Sequence, residues 1–439
     1  MTLLKAVRGT RDLLPPETEL WNRVEATARR VFARYNFGEI RTPIFEDTQL
    51  FARGVGEETD IVSKEMYTWE DRARAQSEKA QSLTLRPENT AGVVRAYIEH
   101  KLGETGLLQK LYYIGPQFRR ERPQKGRYRQ FWQIGAEVIG PPSSGSESPL
   151  RDAEVLEMLA SLLDELGITG WSLVLNSVGS SSDRPRYIAA LREALAPVKD
   201  QMSADNQRRA ETNPLRVLDS KDPGDEAIIE TLPKIADYLD DASKAHFAAV
   251  LAALDACGVP YSVNPRLVRG LDYYTRTTFE FTHGELGAQN ALLGGGRYDG
   301  LSEMLGGPKA PGIGFAMGLD RLILTLQEAE RKAAAAQAAV AGVPLLADAF
   351  IAPLGEGLNT AALEMAKELR RAGLRIELGD GAFRLKKSFE IGNKLARAIV
   401  LLGEDEQRSG ILTVKHFATG EQTKIPRDAL LTSLLPPND

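Results

Sequence analysis

Residues 111–139 limit what this chain can fold into more than any other stretch. Two runs, 111–118 and 131–139, read as paired strands. The second alternates cleanly: Trp132, Ile134, Ala136 and Val138 face one way, Gln133, Gly135 and Glu137 the other. The first set suits a core. The second leaves two polar groups around a glycine, with room for a ligand between them. The joining loop is cationic, six of the eleven residues from Arg119 to Arg129 being Arg or Lys. A solvated basic hairpin would explain the charge but not Gln and Glu on an otherwise empty strand face. The pattern predicts a polar sheet floor beside a cationic loop, which suits a small molecule carrying several phosphates.

Composition bounds the alternatives. A chain of 439 residues holds two or three domains. The formal net charge of −5 advertises no global affinity for nucleic acid, although RNA binding needs only a local basic patch. A single cysteine, Cys257, can form neither an intrachain disulfide nor a cysteine metal cluster. The four histidines (His100, His246, His283 and His416) are scattered and give no short-spaced ligand pair, so no resident metal is expected. With no signal peptide and no apolar run of spanning length, a cytoplasmic enzyme or binding protein is expected, without a membrane partner.

Along the chain, a helix is expected over 20–35, an extended segment at 38–43 and a polar loop at 76–81. Residues 141–148, rich in Pro, Ser and Gly, read as a flexible connector. Ser148 and Pro149 then give a cap and first-turn signal, and Leu156, Leu159, Leu163 and Leu166 stripe the helix they start. A strand is expected at 171–176. Residues 178–262, helical and richly charged, read as an inserted subdomain, and strand-like patterns resume over 267–281. An alanine-rich linker is expected at 329–345. From 346 the chain alternates strand, helix, strand, helix, strand (349–353, 360–372, 374–378, 384–396, 398–403), a separate α/β domain over 346–439.

Five short runs carry candidate chemistry. Arg119 and Glu121 point to one side of an extended backbone, where an arginine can neutralise a phosphate and a carboxylate can accept from an exocyclic amine. Glu88 and Thr90 present oxygens suited to an ammonium group, although Glu88, Asn89 and Thr90 could equally start a helix. Leu267-Val268-Arg269-Gly270-Leu271-Asp272-Tyr273-Tyr274 sets an arginine beside a glycine and two tyrosines; a structural salt bridge with packed aromatics weighs about equally. Gly294, Gly295 and Gly296 allow close backbone approach or a tight turn. Residues 312–321 read as a strand entering a helix, with Arg321 in its first turns and off the apolar face. No P-loop, dinucleotide glycine motif or protein-kinase set is present. If the chain binds ATP, it does so with arginines on a sheet.

Together these runs resemble the histidyl-tRNA synthetase family of class II aminoacyl-tRNA synthetases. The resemblance covers nearly the whole chain: Arg8-Gly9-Thr10-Arg11-Asp12-Leu13-Leu14-Pro15 matches the family's opening, Pro43 its motif 1 proline, residues 118–137 its motif 2, and 312–321 its motif 3. The runs at 267–274 and 294–300 are similar to its two histidine-specific motifs. Asn89 and Trp132 depart from the pattern, standing where the family has glycine and His or Tyr.

The resemblance implies an α+β fold: a catalytic core over 1–328 built on an antiparallel sheet flanked by helices, a helical insertion at about 178–262, and a C-terminal anticodon-binding α/β domain. It implies a homodimer, tRNA(His), L-histidine and ATP as partners, and Mg2+. It gives Arg119 and Arg269 catalytic roles at the α-phosphate, with Arg269 also at the histidine carboxylate. Glu121 would contact adenine and Arg321 the γ-phosphate end of ATP. Glu88 and Thr90, with Asn89 between them, and Gln133 would hold the α-amino group. Glu137 and Tyr274, with Tyr273 beside them, would bind the imidazole. The competing expectation is a non-catalytic relative, the synthetase-like regulatory subunit of histidine biosynthesis, which usually lacks the anticodon domain and loses motif residues.

Overall fold

The computed structural model describes residues 3–56, 59–71, 80–124, 126–220, 222–271, 273–284, 290–336 and 347–435. By its contacts the chain divides into two units, Met1–Ala336 and Gln337–Asp439.

The first unit begins with helix α1 (Glu17–Arg34), which has acidic residues in its first turn, a basic one in its last, and Trp21, Val24, Ala28, Val31 and Phe32 buried along one face. Strands β1 (Gly38–Glu39) and β2 (Phe45–Asp47), helix α2 (Thr48–Val55), and strands β3 (Tyr67–Asp71) and β4 (Gln81–Leu85) follow, then α3 (Thr90–Glu99), β5 (Gln109–Phe118) and β6 (Gln130–Ile139). Next come α4 (Pro149–Glu165), β7 (Trp171–Ser177), and helices α5 (Asp183–Leu195), α6 (Ala204–Thr212), α7 (Pro223–Thr231) and α8 (Asp241–Cys257). The unit closes with β8 (Tyr261–Val263), β9 (Thr275–His283), β10 (Ala291–Arg297), α9 (Leu301–Met304), β11 (Gly312–Gly318) and α10 (Leu319–Ala336).

Eight of these strands form one sheet in the order β1-β5-β6-β11-β10-β9-β7-β8. Its inner pairs are antiparallel, and the two edge pairs, β1 with β5 and β8 with β7, are parallel. The alternation of β6 is realised: Ile134, Ala136 and Val138 sit in a core shared with α1, α4, α8 and α10. Trp132 packs on the same side, edge-on to Trp21 with ring centroids 6.4 Å apart. Covering one face with helices leaves the other face of β6, β11, β10 and β9 for the polar residues.

Several expectations need correction. Of the expected polar loop, 76–79 lies outside the described residues and Gln81 opens β4. Residues 141–148 are a packed turn: Ser146 is buried, and its carbonyl accepts from Arg297. Ser148 does cap α4, accepting from the Leu150 amide, with Pro149 in the first turn. Within 178–262, α5 to α7 build a second core with α3 and α9, but α8 contributes Val250 and Leu254 to the main core and β8 joins the main sheet. The alanine-rich run continues α10 as far as Ala336, and 337–346 lies outside the described residues.

The second unit is a five-stranded sheet in the order β13-β12-β14-β15-β16. Its strands are β12 (Ala347–Pro353), β13 (Ile376–Leu378), β14 (Ala396–Leu402), β15 (Ile411–His416) and β16 (Gln422–Pro426). Helix α11 (Asn359–Arg371) covers one face and α12 (Leu385–Leu395) the other. The expected strand–helix alternation is present. The antiparallel pair β15–β16 follows it.

Candidate active site

The open polar face of the large sheet floors a cavity of about 1440 Å³. That exceeds the ~300–1,000 Å³ usual for a single small ligand. Its walls come from β5, β6, β9, β10 and β11, the start of α3, the 119–131 loop, the start of α10, and the inserted helices α6 and α7.

Glycines make the floor possible. Gly294 lies opposite Glu280 on β9, and a Cβ there would come within 2.6–2.8 Å of the Arg269 guanidinium. Gly314 lies opposite Glu137, and a Cβ there would collide with its carboxylate. Gly135 lies opposite Tyr113, whose ring fills the space a side chain would take. The triple glycine is therefore strand centre, not a turn, and its small size makes room for side chains from neighbouring segments. Replacing Gly294 with alanine should displace Arg269, a flexible side-chain end, rather than the backbone. The expected result is a loss of activity of at least about tenfold with little change in melting temperature, since misplacing a reacting group by about 1 Å can cost roughly a hundredfold. Parallel activity and thermal-melt measurements check this.

Four arginines line the cavity, Arg119, Arg127, Arg269 and Arg321. Arg119 donates from Nε to the Pro87 carbonyl at 2.9 Å, and its guanidinium lies 5.2 Å from the centre of the Phe131 ring and 3.8 Å from Glu121. Glu121 also pairs with Arg127 at 3.2 Å. Arg269 pairs with Glu280; burial works against its charge, but Glu280 and the neighbouring tyrosines raise its pKa overall. Arg321 donates to the Ala291 carbonyl at 3.1 Å, and burial, with nearby Arg127, lowers its pKa. These four cations share the cavity wall with Glu121 and Glu280, an arrangement suited to an anion. The expected strand pattern across 267–274 is corrected: the described residues of this run are loop, and β9 starts at Thr275.

The lining also includes acidic and phenolic groups. Both Glu88 oxygens accept backbone amides at the start of α3, from Thr90 at 2.7 Å and Ala91 at 3.0 Å. Glu88 is therefore a helix cap and a cavity-lining carboxylate at once, and burial raises its pKa. Thr90 and Tyr298 donate their hydroxyls to the two oxygens of Glu137, at 2.8 and 2.7 Å. Burial pushes Glu137 up to about 8, against those two hydroxyls and with a small further push from Glu88. Tyr273, Tyr274, Tyr113 and Gln133 complete the lining. Buried polar atoms along this lining, among them Gln133 Oε1, the Tyr113 hydroxyl and Arg269 Nε, have no hydrogen-bond partner among the described residues, which a polar ligand would supply.

Of the residues expected at the site, Arg119, Arg269, Glu88, Thr90, Gln133, Tyr273, Tyr274, Glu121 and Arg321 all line this cavity. Two expectations are corrected. Asn89 turns away, its Oδ1 accepting from Thr42 at 2.6 Å beside Arg86, because the turn that aims Glu88 and Thr90 inward aims the residue between them outward. Glu137 is fully buried beneath Thr90 and Tyr298 and does not itself line the cavity. The reading of the sequence gave no role to Tyr113, Arg127, Glu280 or Tyr298. The signal for Tyr113 and Glu280 was the glycine opposite each, visible only once strand register is known.

Comparison with known proteins agrees with this geometry. The family model described as histidyl-tRNA synthetase matches residues 9–322, and the one described as anticodon binding domain matches 348–435. A protein of Koribacter versatilis named histidine–tRNA ligase is 72% identical over 429 residues, 98% of this chain and 95% of that one. Its namesake in Solibacter usitatus is 54% identical over 434 residues, 98% of this chain and 99% of that one. The apo crystal structure of the Staphylococcus aureus histidyl-tRNA synthetase superposes with a TM-score of 0.78 at 37% identity, covering 98% of this chain and all of that one. With its arginine-lined sheet, its phenolic lining and these relatives along nearly its whole length, the chain belongs to the histidyl-tRNA synthetase family.

Proposed function

We propose that this chain is a histidine–tRNA ligase that activates L-histidine with ATP and passes the histidyl group to the 3′ end of tRNA(His). One observation carries the reading: Arg119, Arg269 and Arg321, far apart in sequence, line a single cavity together with Glu88, Tyr273 and Tyr274. In the first step a carboxylate oxygen of histidine attacks the α-phosphorus of ATP, and the bond to the departing pyrophosphate breaks. Arg119 and Arg269 face the charge that builds up there, and Arg321 holds the γ-phosphate end. Glu121 accepts from the adenine amine, releasing Arg127 to the phosphates. In the second step a hydroxyl of the terminal ribose attacks the histidyl carbonyl, and AMP leaves.

The substrate ammonium sits against Glu88, Thr90 and the unpartnered Gln133 Oε1. The imidazole enters beside Tyr273 and meets Tyr274 and the two hydroxyls that cover Glu137. Each Glu137 oxygen keeps a second lone pair, so the carboxylate takes a ring N–H once Thr90 or Tyr298 turns aside. A site that pairs both ring nitrogens rejects analogues that lack them.

Among the described residues no group of three or more His, Cys, Asp or Glu could hold a metal alone. The donor set fits Mg2+ arriving on the triphosphate, which takes one or two carboxylates beside phosphate oxygens and water. With Glu121 given to adenine and Glu280 paired with Arg269, the ion would be held chiefly by phosphate oxygens and water and would neutralise phosphate charge. A homodimer is supported by apolar surface at motif 1: Ile44, Phe45 and Trp69 are exposed beside Pro43, with Phe45 and Trp69 edge-on at 6.0 Å. In the second unit Arg384, Lys386, Lys387 and Lys394 are exposed along α12 and are candidates for RNA phosphates. Among the described residues no helix is long and apolar enough to cross a membrane, and a cytoplasmic location is part of the proposal. The test is charging: labelled histidine should enter tRNA when ATP and Mg2+ are present. Histidine binding with no charging of any tRNA would favour the regulatory-subunit alternative.

A further inference from the structure

The family's opening run, residues 8–15, has no place in the mechanism above, yet it grips the phosphate end from behind. The Arg129 amide donates to the Gly9 carbonyl at 2.7 Å. Gly9 has φ +90°, and a Cβ there would meet the Arg129 and Pro123 side chains at 2.8 Å. Two residues on, Arg11 donates to Asp320 at 3.1 Å and to both oxygens of Glu17 in α1, at 2.8 and 3.1 Å. Its guanidinium also lies 4.7 Å from the centre of the Tyr128 ring. Arg11 is not among the cavity-lining residues, but Tyr128, Asp320 and Arg321 are.

We propose that Arg11 is a positioning residue for ATP, tying the cationic loop at Tyr128 to the Asp320–Arg321 corner so that Arg127 and Arg321 present to the triphosphate together. The proposal rests on the ligase reading and deepens it. Asp320 is a buried carboxylate whose other oxygen accepts from the Trp132 amide at 3.1 Å. Arg11 is its only cationic side-chain partner among the described residues that lies outside the cavity. Remove that cation and a buried carboxylate is left unpaired at the cavity wall, where two cations that line the same cavity, Arg321 and Arg127, would turn to compensate it and be withheld from phosphate. Loop packing supports the coupling: Gly126, at φ +75°, lies so close to the start of α10 that a Cβ there would come within 3.1 Å of Leu324 and 3.5 Å of the Arg321 stem.

The test compares ATP and histidine kinetics in pyrophosphate exchange for the parent, Arg11→Met, Arg11→Lys and Arg11→Met/Asp320→Asn, with melting temperatures alongside. Loss of a charge-assisted contact predicts that Arg11→Met raises KM for ATP about tenfold or more, while KM for histidine stays within about twofold. Removing the competing carboxylate in the double variant should recover much of that loss, which a merely structural role would not allow. Arg11→Lys, which keeps the charge but not the planar stack, should fall between. Equal increases in both KM values, or a double variant worse than Arg11→Met, would overturn the proposal. Should Arg11→Met fail to fold, an unchanged KM for ATP in Arg11→Lys would overturn it as well. A parent without exchange would instead overturn the ligase reading.

Discussion

Arg119→Met should lower histidine-dependent pyrophosphate exchange by roughly two to three orders of magnitude, the range seen when one preorganised donor to a developing anion is lost. The expectation follows from where the side chain sits. Its Nε is fixed by the Pro87 carbonyl and its plane by Phe131, so the outward-facing nitrogens are held in place before substrate arrives. Such donors act most on the state in which charge is greatest, so kcat should fall with kcat/KM and KM for histidine should move little. Stability should change little, because the side chain is part-exposed and its contact with Glu121 is long, at 3.8 Å. Arg119→Lys keeps a charge but not the fork, and should recover only part of the rate. Steady-state exchange kinetics and thermal melts on the same preparations decide the point. A rate within about threefold of the parent would remove Arg119 from the chemistry.

Glu137→Gln should raise KM for histidine by about three- to tenfold, the worth of a hydrogen bond between uncharged groups, while KM for ATP stays near the parent value. The same variant carries a stability signature whose sign follows from burial. In the folded protein Glu137 holds its proton up to about 8, against an ordinary value of 4.5. Between those values the unfolded chain has released the proton and the folded protein has kept it. The folded state therefore binds more protons, and this residue makes stability fall as pH rises through the window. Glutamine has no proton to release. The melting temperature of the variant relative to the parent should climb from about pH 4.5 to about pH 8 and level off above it. A flat difference across that range would show that Glu137 is ionised in the folded protein and accessible to water.

The sequence was most legible where local pattern and tertiary environment agree. The alternation of β6 named its core and site faces correctly, because a strand with one buried face must separate them. Ser148 and Pro149 marked the start of α4 because capping is local chemistry. What escaped depended on partners distant in sequence. The triple glycine left close approach and a tight turn both open, because nothing nearby reveals that Arg269 occupies the space over Gly294. Asn89 and Glu137 carried the right side-chain chemistry, yet the turn at the start of α3 rotates one away and Tyr298, 161 residues along, helps seal the other in. Helix α8 looked like insertion because it follows the charged helices α5 to α7 in sequence, while Val250 and Leu254 return it to the main core.

The most direct measurement is amino-acid-dependent exchange of labelled pyrophosphate into ATP, with purified protein and Mg2+ and without tRNA, run separately with each standard amino acid. Strong exchange with histidine alone is predicted, since activation and specificity both reside in the cavity of the first unit. Exchange driven by another amino acid, or histidine binding by calorimetry with no exchange at all, would contradict it.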